Sequence, residues 1–316
     1  LKILTFSTLY PSASRPSHGI FVETRLRHLV ASGRVEPRVV APVPWFPSRN
    51  AWFGVYAAHA SAPQKERRHG IDVLHPRYPL LPKIGMTLAP FLLAQAVKPV
   101  IGHLLRDCDF DFDLIDAHYF YPDGVAAVLL GRRFGKPVVV SARGSDVNLI
   151  ACYRLPRRMI LWAARHAAGV ITVARALKDK LVALGVPAGR IEVLRNGVDL
   201  QFFRPVDREY WRRRLGFRRT TLLSVGNLLP LKGHDLAIRA LRLLPEVDLV
   251  IIGNGPERAA LGKLALESGM SDRVTLAGSM SQEELRHYYG AADALVLASS
   301  REGWANVLLE SMACGT

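Results

Sequence analysis

Two carboxylates bracket a polar turn late in the chain. Glu302 and Glu310 form a Glu-x7-Glu pattern in EGWANVLLE, Glu302 just ahead of a helix pattern and Glu310 inside it. Glu310 is the only charge between Ala305 and Thr316. An ionised carboxylate only accepts hydrogen bonds, so sugar or ribose hydroxyls suit both acids, while the helix N-terminus between them suits a phosphate. The plainer reading puts Glu302 at the favourable end of a helix dipole and Glu310 on a wet edge; spacing alone leaves both open. A second constellation is Gly226-Asn227-Leu228-Leu229-Pro230-Leu231-Lys232-Gly233-His234. A strand pattern, a glycine turn, a lysine and a helix start together make an anion site, although the spacing is not that of a Walker A loop. The third is His118, closing the strand pattern DLIDAH ahead of Tyr119-Phe120-Tyr121-Pro122-Asp123-Gly124. Most lone histidines are structural, but the carboxyl end of a strand is where chemistry sits. Gly19 precedes the first helix pattern, where glycine lets backbone approach a ligand or simply makes a turn.

The elements that must position these groups alternate strand and helix. In the first part, strand patterns fall at Lys2 to Ser7, Val35 to Ala41, Ile71 to Tyr78, Asp113 to His118, Pro137 to Ser141 and Gly169 to Val173. Arg190 to Leu194 leads into Asn196-Gly197-Val198-Asp199, read as a tight turn with glycine at positive φ. Asp207 to Arg219 is highly charged and reads as a surface helix and linker. Strands follow at Thr220 to Val225, Asp248 to Ile252, Val274 to Gly278 and Ala294 to Ala298, the last read as buried, with Val307, Leu308, Leu309, Met312 and Ala313 opening a buried helix. Gly253-Asn254-Gly255-Pro256 turns into a helix with proline at its first position. No G-x-G-x-x-G is present, which disfavours NAD. Asp109, Asp111 and Asp113 precede their strand and read as a solvated turn rather than a metal site.

EGWANVLLE followed by SMACGT resembles the donor-binding segment of retaining GT-B glycosyltransferases of family 4 (group 1 type). The resemblance runs through most of the chain and implies two Rossmann-like parallel-sheet domains facing across a cleft, residues 1–203 on the acceptor side and 204–316 binding the nucleotide sugar. It implies that Glu310 holds ribose hydroxyls and Glu302 donor-sugar hydroxyls. Lys232, Gly226, Asn227, Gly253, Gly303 and the N–H groups of Asn306 and Val307 belong to the same donor site. Gly19 lies near the donor phosphate, and His118 lies against the donor sugar. His118, Glu302 and Lys232 are the implied catalytic groups. The sequence departs from the family at two places. Asn227 stands where an arginine is usual, with Arg301 a candidate substitute. Arg143 stands where a histidine is usual, in Ala142-Arg143-Gly144-Ser145-Asp146; it could meet an anionic acceptor, and Asp146 is read equally as a helix cap or a ligand contact. The second domain carries about four strands where about six are usual, so it is expected to be incomplete.

Composition sets the frame. The 316 residues suffice for two domains, and 49% hydrophobic with 22% charged residues is globular. Cys108, Cys152 and Cys314 show neither metal nor disulfide spacing. The opening LKILTFSTLY reads as a strand rather than a signal peptide. Thr87 to Leu105 is broken by Pro90, Gln95, Lys98, Pro99 and His103, and reads as a helix pair rather than a membrane span. Residues 1–203 hold 27 basic and 14 acidic residues, against 15 and 13 in residues 204–316. This imbalance reads either as a face toward an anionic partner, namely a phosphorylated substrate, a membrane surface or nucleic acid, or as a general arginine bias. Trp45, Phe46, Trp52, Phe53 and Tyr56 with Arg49 mark either a membrane-interface or acceptor lip, or a loop folded onto the core.

The expected activity is retaining, metal-independent transfer of a hexosyl group from a UDP or GDP sugar to a saccharide or lipid-linked saccharide. No cofactor beyond the nucleotide-sugar co-substrate is expected. The expected setting is cytoplasmic or peripheral at the inner membrane face, in surface polysaccharide or glycolipid synthesis. Rival readings are a nucleotide-sugar epimerase of the same fold, a GT-B phosphorylase, and a basic nucleic-acid-binding module; carboxylates in the site oppose the last.

Overall fold

The computed structural model describes residues 1–80 and 85–316. Its backbone contacts divide into two units, Leu1–Asn196 and Gly197–Thr316.

The first unit runs β1 (Lys2–Phe6), α1 (Ile20–Ala31), β2 (Glu36–Val40), β3 (Val43–Pro44), α2 (Val55–Ser61), β4 (Lys65–Arg68), β5 (Ile71–Leu74), β6 (Arg77–Tyr78), α3 (Gly85–Arg106), β7 (Leu114–His118), α4 (Val125–Phe134), β8 (Val138–Ala142), α5 (Ser145–Asn148), α6 (Arg154–His166), β9 (Gly169–Thr172), α7 (Arg175–Ala183) and β10 (Ile191–Val193). Eight strands form one sheet in the order β10-β9-β8-β7-β1-β2-β5-β4. All neighbours are parallel except β4 with β5. The central strands are apolar runs because a parallel sheet is covered on both faces: Leu4, Phe6, Ile115, Ala117 and Val140 are fully buried. Chain order reverses between β1 and β7, which places the ligand crevice of such a sheet at their carboxyl ends.

Three features differ from the sequence reading. The strand expected over Ile71 to Tyr78 is interrupted at Pro76, leaving β5 in the large sheet and β6 paired with β3. β4, KERR, carries no apolar alternation and was not expected; it survives as a charged antiparallel edge. α3 is one 22-residue helix that retains Pro90 and Pro99. It is long and apolar enough to cross a membrane by length and composition, yet Leu93, Val97, Ile101 and Leu104 are buried in this unit. That packing offsets the hydrogen bonds the prolines remove. In the aromatic loop, Phe46 lies 5.2 Å from both Phe53 and Tyr56, while Trp45 is exposed and Trp52 is 89% exposed, so the loop does not fold onto the core.

The second unit runs α8 (Arg208–Leu215), β11 (Thr220–Val225), α9 (His234–Ala240), β12 (Val247–Ile252), α10 (Arg258–Glu267), β13 (Val274–Gly278), α11 (Gln282–Ala291), β14 (Ala294–Leu295) and α12 (Asn306–Ala313). Its four strands are parallel in the order β13-β12-β11-β14. Leu223, Val225, Ile252 and Tyr289 pack with Phe203 on one core, joined by Val198 and Phe202. Leu228, Ile238, Leu249, Ile251 and Leu261 form a second. Because Val198, Phe202 and Phe203 join this core, the units part ahead of residue 203.

Here too some expectations are corrected. α8 is no linker: Asp207 caps it through Tyr210 N, Arg212 donates to Asp293 at 2.8 Å, and Trp211 stacks on His287 at 3.7 Å. Gly197 is not among the positive-φ glycines. Pro256 lies in the turn before α10 rather than at its first position. β14 is shorter than expected and half-buried. On α12, Val307 and Ala313 pack against the core as expected, whereas Leu308 and Met312 are exposed and Ser311 is buried, so its inward face was read only in part.

Candidate functional site

In the second unit the chain order reverses between β11 and β14, the switch point at which open parallel sheets bind ligands. The turns after β11, β12 and β14 meet there. Gly253 has φ 147°, and a Cβ on it would stand 1.8 Å from the Gly226 carbonyl oxygen. No side chain fits, so glycine is what lets the turns after β11 and β12 touch. Lys232 Nζ donates to Glu302 Oε1 at 2.6 Å, each side chain about a quarter exposed (22% and 26%). The structure thus joins the expected phosphate lysine and the expected sugar carboxylate in one ion pair. Gly303 follows Glu302, and α12 opens at Asn306 and Val307 after Ala305, which offers no capping side chain. Asn227 and Arg301 are exposed.

Glu310 accepts from Tyr289 Oη at 2.9 Å. Burial pushes the Glu310 carboxyl above its ordinary range, against the pull of that bond; burial and Glu310 together push the phenol up. Tyr289 is fully buried and was missed, since a tyrosine inside a helix pattern carries no distinguishing signal. So was His234. It is buried, with Nδ1 2.8 Å from Ser224 Oγ, and burial holds its pKa down, keeping it neutral beneath the Gly226 turn.

In the first unit His118 closes β7 and is 1% exposed. Its Nδ1 lies 2.5 Å from the Arg143 guanidinium and its Nε2 3.1 Å from Asp116 Oδ2. A guanidinium only donates, so Nδ1 accepts and Nε2 carries the proton toward Asp116. The ring is therefore neutral, its pKa pushed down to about 4 by burial, with Arg143 and Arg25 reinforcing and Asp116 opposing. Burial disfavours the Asp116 charge, but His118 and Arg25 outweigh it and hold the carboxyl well below its usual range; Arg25 donates to it at 2.6 Å. Arg143 is itself lowered to about 10 by burial and by Arg25. It also donates to Asn196 Oδ1 at 2.9 Å, and its Nε has no partner among the described residues. Arg143, expected toward an acceptor, is thus turned onto His118.

Asp146 is fully buried and accepts from the backbone N–H groups of Phe120 and Gly144 at 2.7 Å and of Arg143 and Val147 at 3.1 Å. It ties the turn after β8 to the turn after β7; the N-cap of α5 is Gly144. Gly19, at φ 67°, would carry a Cβ 2.3 Å from the Leu9 carbonyl oxygen, so its space is taken by the chain itself. Asp123, buried between β1 and β7, accepts from Thr8 N at 2.6 Å and Thr8 Oγ1 at 2.9 Å, and burial pushes it up to about 7. Among the described residues no three His, Cys, Asp or Glu gather as a metal site.

The chain is similar to known proteins over both units. Residues 207–316 match the family model for glycosyl transferases group 1, and residues 55–202 match that for glycosyltransferase family 4. The putative teichuronic acid biosynthesis glycosyltransferase TuaC of Bacillus subtilis is 29% identical over 99% of this chain and 79% of its own. A D-inositol 3-phosphate glycosyltransferase of Mycobacteroides abscessus is 37% identical over 65% of this chain. The chain spans about half (50%) of that relative's length. Sucrose-phosphate synthase of Thermosynechococcus elongatus superposes with a TM-score of 0.79 at 21% identity, covering 100% of this chain and 79% of that one. HepE of Anabaena, solved with UDP and glucose, gives 0.72 at 20% identity over the same shares of 100% and 79%. With both units matched in turn, the chain belongs to the group 1, family 4 glycosyltransferases and has the GT-B fold.

Proposed function

We propose that this glycosyltransferase moves a hexosyl group, with retention and without a metal, from a nucleoside-diphosphate sugar to a hydroxyl of a saccharide or lipid-linked saccharide. The observation that carries the reading is the Lys232–Glu302 pair at the β11/β14 switch point, beside the Gly226–Gly253 contact and the start of α12. A partly exposed ion pair is worth about 1 kcal/mol or less, so a ligand separates it at little cost. A diphosphate then takes Lys232 and backbone N–H groups of the Gly226 turn, Asn306 and Val307. Glu302, released, accepts from sugar hydroxyls, and Glu310 accepts from the ribose. Stabilising charge on the departing diphosphate is the main catalytic contribution of this set.

In the described state Arg143 occupies His118 Nδ1, and the ring orients the Asp116–Arg25 cluster. The UDP, glucose and UDP-glucose complexes of HepE favour a uridine donor. The name of TuaC favours a cell-surface polysaccharide setting. The basic excess of residues 1–203, with exposed Trp45 and Trp52 beside Arg49, supports a peripheral seat at the inner membrane face.

The test is a thermal-shift titration with UDP, GDP and ADP, since a ligand bound only by the folded state raises apparent stability with its concentration. One nucleotide is expected to raise the melting temperature of the native sequence and to do so far less in Glu310→Ala. Glu310→Gln, which keeps an acceptor for Tyr289, separates lost binding from lost packing. No response to any nucleotide would refute the donor site.

A further inference from the structure

A pocket of about 230 Å³ opens in the first unit, apart from the His118 cluster. Its walls come from the loop after β1, from Pro42 to Pro44 after β2, and from α2. Arg15 stands among them. One guanidinium nitrogen lies 2.9 Å from His18 Nδ1 and the other 3.5 Å from His59 Nδ1. His18 Nε2 is 3.2 Å from the Thr8 carbonyl, so Nε2 carries the proton and Nδ1 accepts from Arg15. Both imidazoles are neutral, pushed to about 4 by burial and by Arg15. Burial also lowers Arg15 itself. Arg77 adds a second cation behind α2, donating to the carbonyls of His59 and Ala62.

What the pocket lacks is a counter-ion. Among the described residues no carboxylate lines it. Glu23, Glu66 and Asp123, the acids around these walls, are engaged elsewhere: Glu23 takes Arg68. Glu66 takes His75 Nε2 at 2.7 Å and the Ala13 N–H, and Asp123 takes Ser7 and Thr8. A half-buried guanidinium whose partners among the described residues are imidazole lone pairs has lost hydration without gaining an opposite charge. An incoming anion supplies that charge, and a planar fork of N–H donors fits a phosphate best. Ser12 and Ser14, whose hydroxyls lie 3.1 Å apart on the same wall, offer further donors.

We propose that this pocket is an anion subsite that seats a phosphate group carried by the acceptor, with Arg15 as its principal ligand, His18 holding the guanidinium in place and His59 Nε2–H as a flanking donor. The inference rests on the transferase reading and names the class of acceptor, a phosphorylated saccharide.

The experiment follows the imidazole signals of histidine-labelled full chain by NMR during titration with inorganic phosphate and with glucose 6-phosphate. The His18 and His59 signals, assigned by substitution, are expected to move with both and at lower concentration with the sugar phosphate. Arg15→Met is expected to weaken the response by about tenfold or more, the loss of one charge-assisted contact. Ala58→Glu, which adds a carboxylate to the wall without removing any hydrogen bond, is expected to do the same in a chain whose ligand-free melting temperature is not lowered. Still signals at His18 and His59, or movement confined to His234 beside Lys232, would overturn the subsite. So would binding of inorganic phosphate that glucose 6-phosphate does not share. Stabilisation by UDP is read in the same samples. If UDP stabilises the native sequence while its pocket histidines stay silent to both phosphates, the donor site stands and the subsite falls; the reverse pattern separates them the other way.

Discussion

Lys232 and Glu302 hold each other at 2.6 Å on a partly exposed surface, so removing either disturbs the fold little and the chemistry much. Lys232→Ala is expected to lower stability by about 1 kcal/mol or less and the transfer rate by roughly 10²–10³-fold, the range for one preorganised donor to developing charge. A denaturation midpoint beside a product assay measures both. At the same scale, His18, His59 and His118 are held neutral at about 4, whereas in the unfolded chain they bind protons near 6.5. Protons therefore favour the unfolded chain, and stability falls as pH drops from 6.5 toward 4. His118, fully buried, contributes roughly 3 kcal/mol of that slope at most. Melting temperature against pH is expected to decline over this window and to flatten in His118→Asn. These pairings were only partly legible. The Glu-x7-Glu spacing and the strand-terminal histidine could be read directly. The capture of His118 by Arg143 and of Glu310 by Tyr289 depends on side chains distant in sequence, which no local pattern reports.

At the scale of elements, turns decide more than helices. Gly253→Ala would place a methyl 1.8 Å from the Gly226 carbonyl at φ 147°. The two turns must then part, at a cost of roughly 2–4 kcal/mol, and nucleotide binding is expected to weaken with them. Calorimetry of the variant with and without UDP tests both. The charged edge strand β4 makes a second case. Arg68 donates to Glu23 at 2.6 Å, and the Glu23 side chain is 3% exposed. Arg68→Met leaves that carboxylate buried without its main partner, an expected loss of roughly 3–5 kcal/mol by urea denaturation. Most strands and helices could be placed from apolar runs and glycine stops. β4 could not, because its stability lies in pairing with β5 and with Glu23 on α1 rather than in its own composition. The inward face of α12 was read only in part for a related reason: Val307 and Ala313 pack inward, but Leu308 and Met312 are apolar yet exposed, and helix phase depends on what the sheet offers.

For the whole molecule, the charge lies unevenly: 27 basic against 14 acidic residues up to Phe203, and 15 against 13 after it. Trp52, 89% exposed, sits in the basic part. Sedimentation with anionic phosphatidylglycerol vesicles is expected to capture the chain at low salt, to fail with neutral vesicles, and to weaken as ionic strength shortens the Debye length. Trp45→Ala with Trp52→Ala should release it at any salt, because the aromatic anchors are not screened. At this scale the alternation of strands, glycine turns and helices made two parallel α/β series legible, while the GT-B assignment came from the resemblance of EGWANVLLE and SMACGT to family 4.

The Lys232–Glu302 contact also bears on how a turnover ends. In the proposed cycle the spent nucleoside diphosphate leaves a lysine whose tethered rival, Glu302, is always within reach. The carboxylate acts as an internal competitor, shortening product residence by re-forming the 2.6 Å pair as each phosphate loosens. A Glu302→Gln enzyme would then hold UDP longer than it should, and stopped-flow displacement would record a slower off-rate even where sugar transfer itself is impaired.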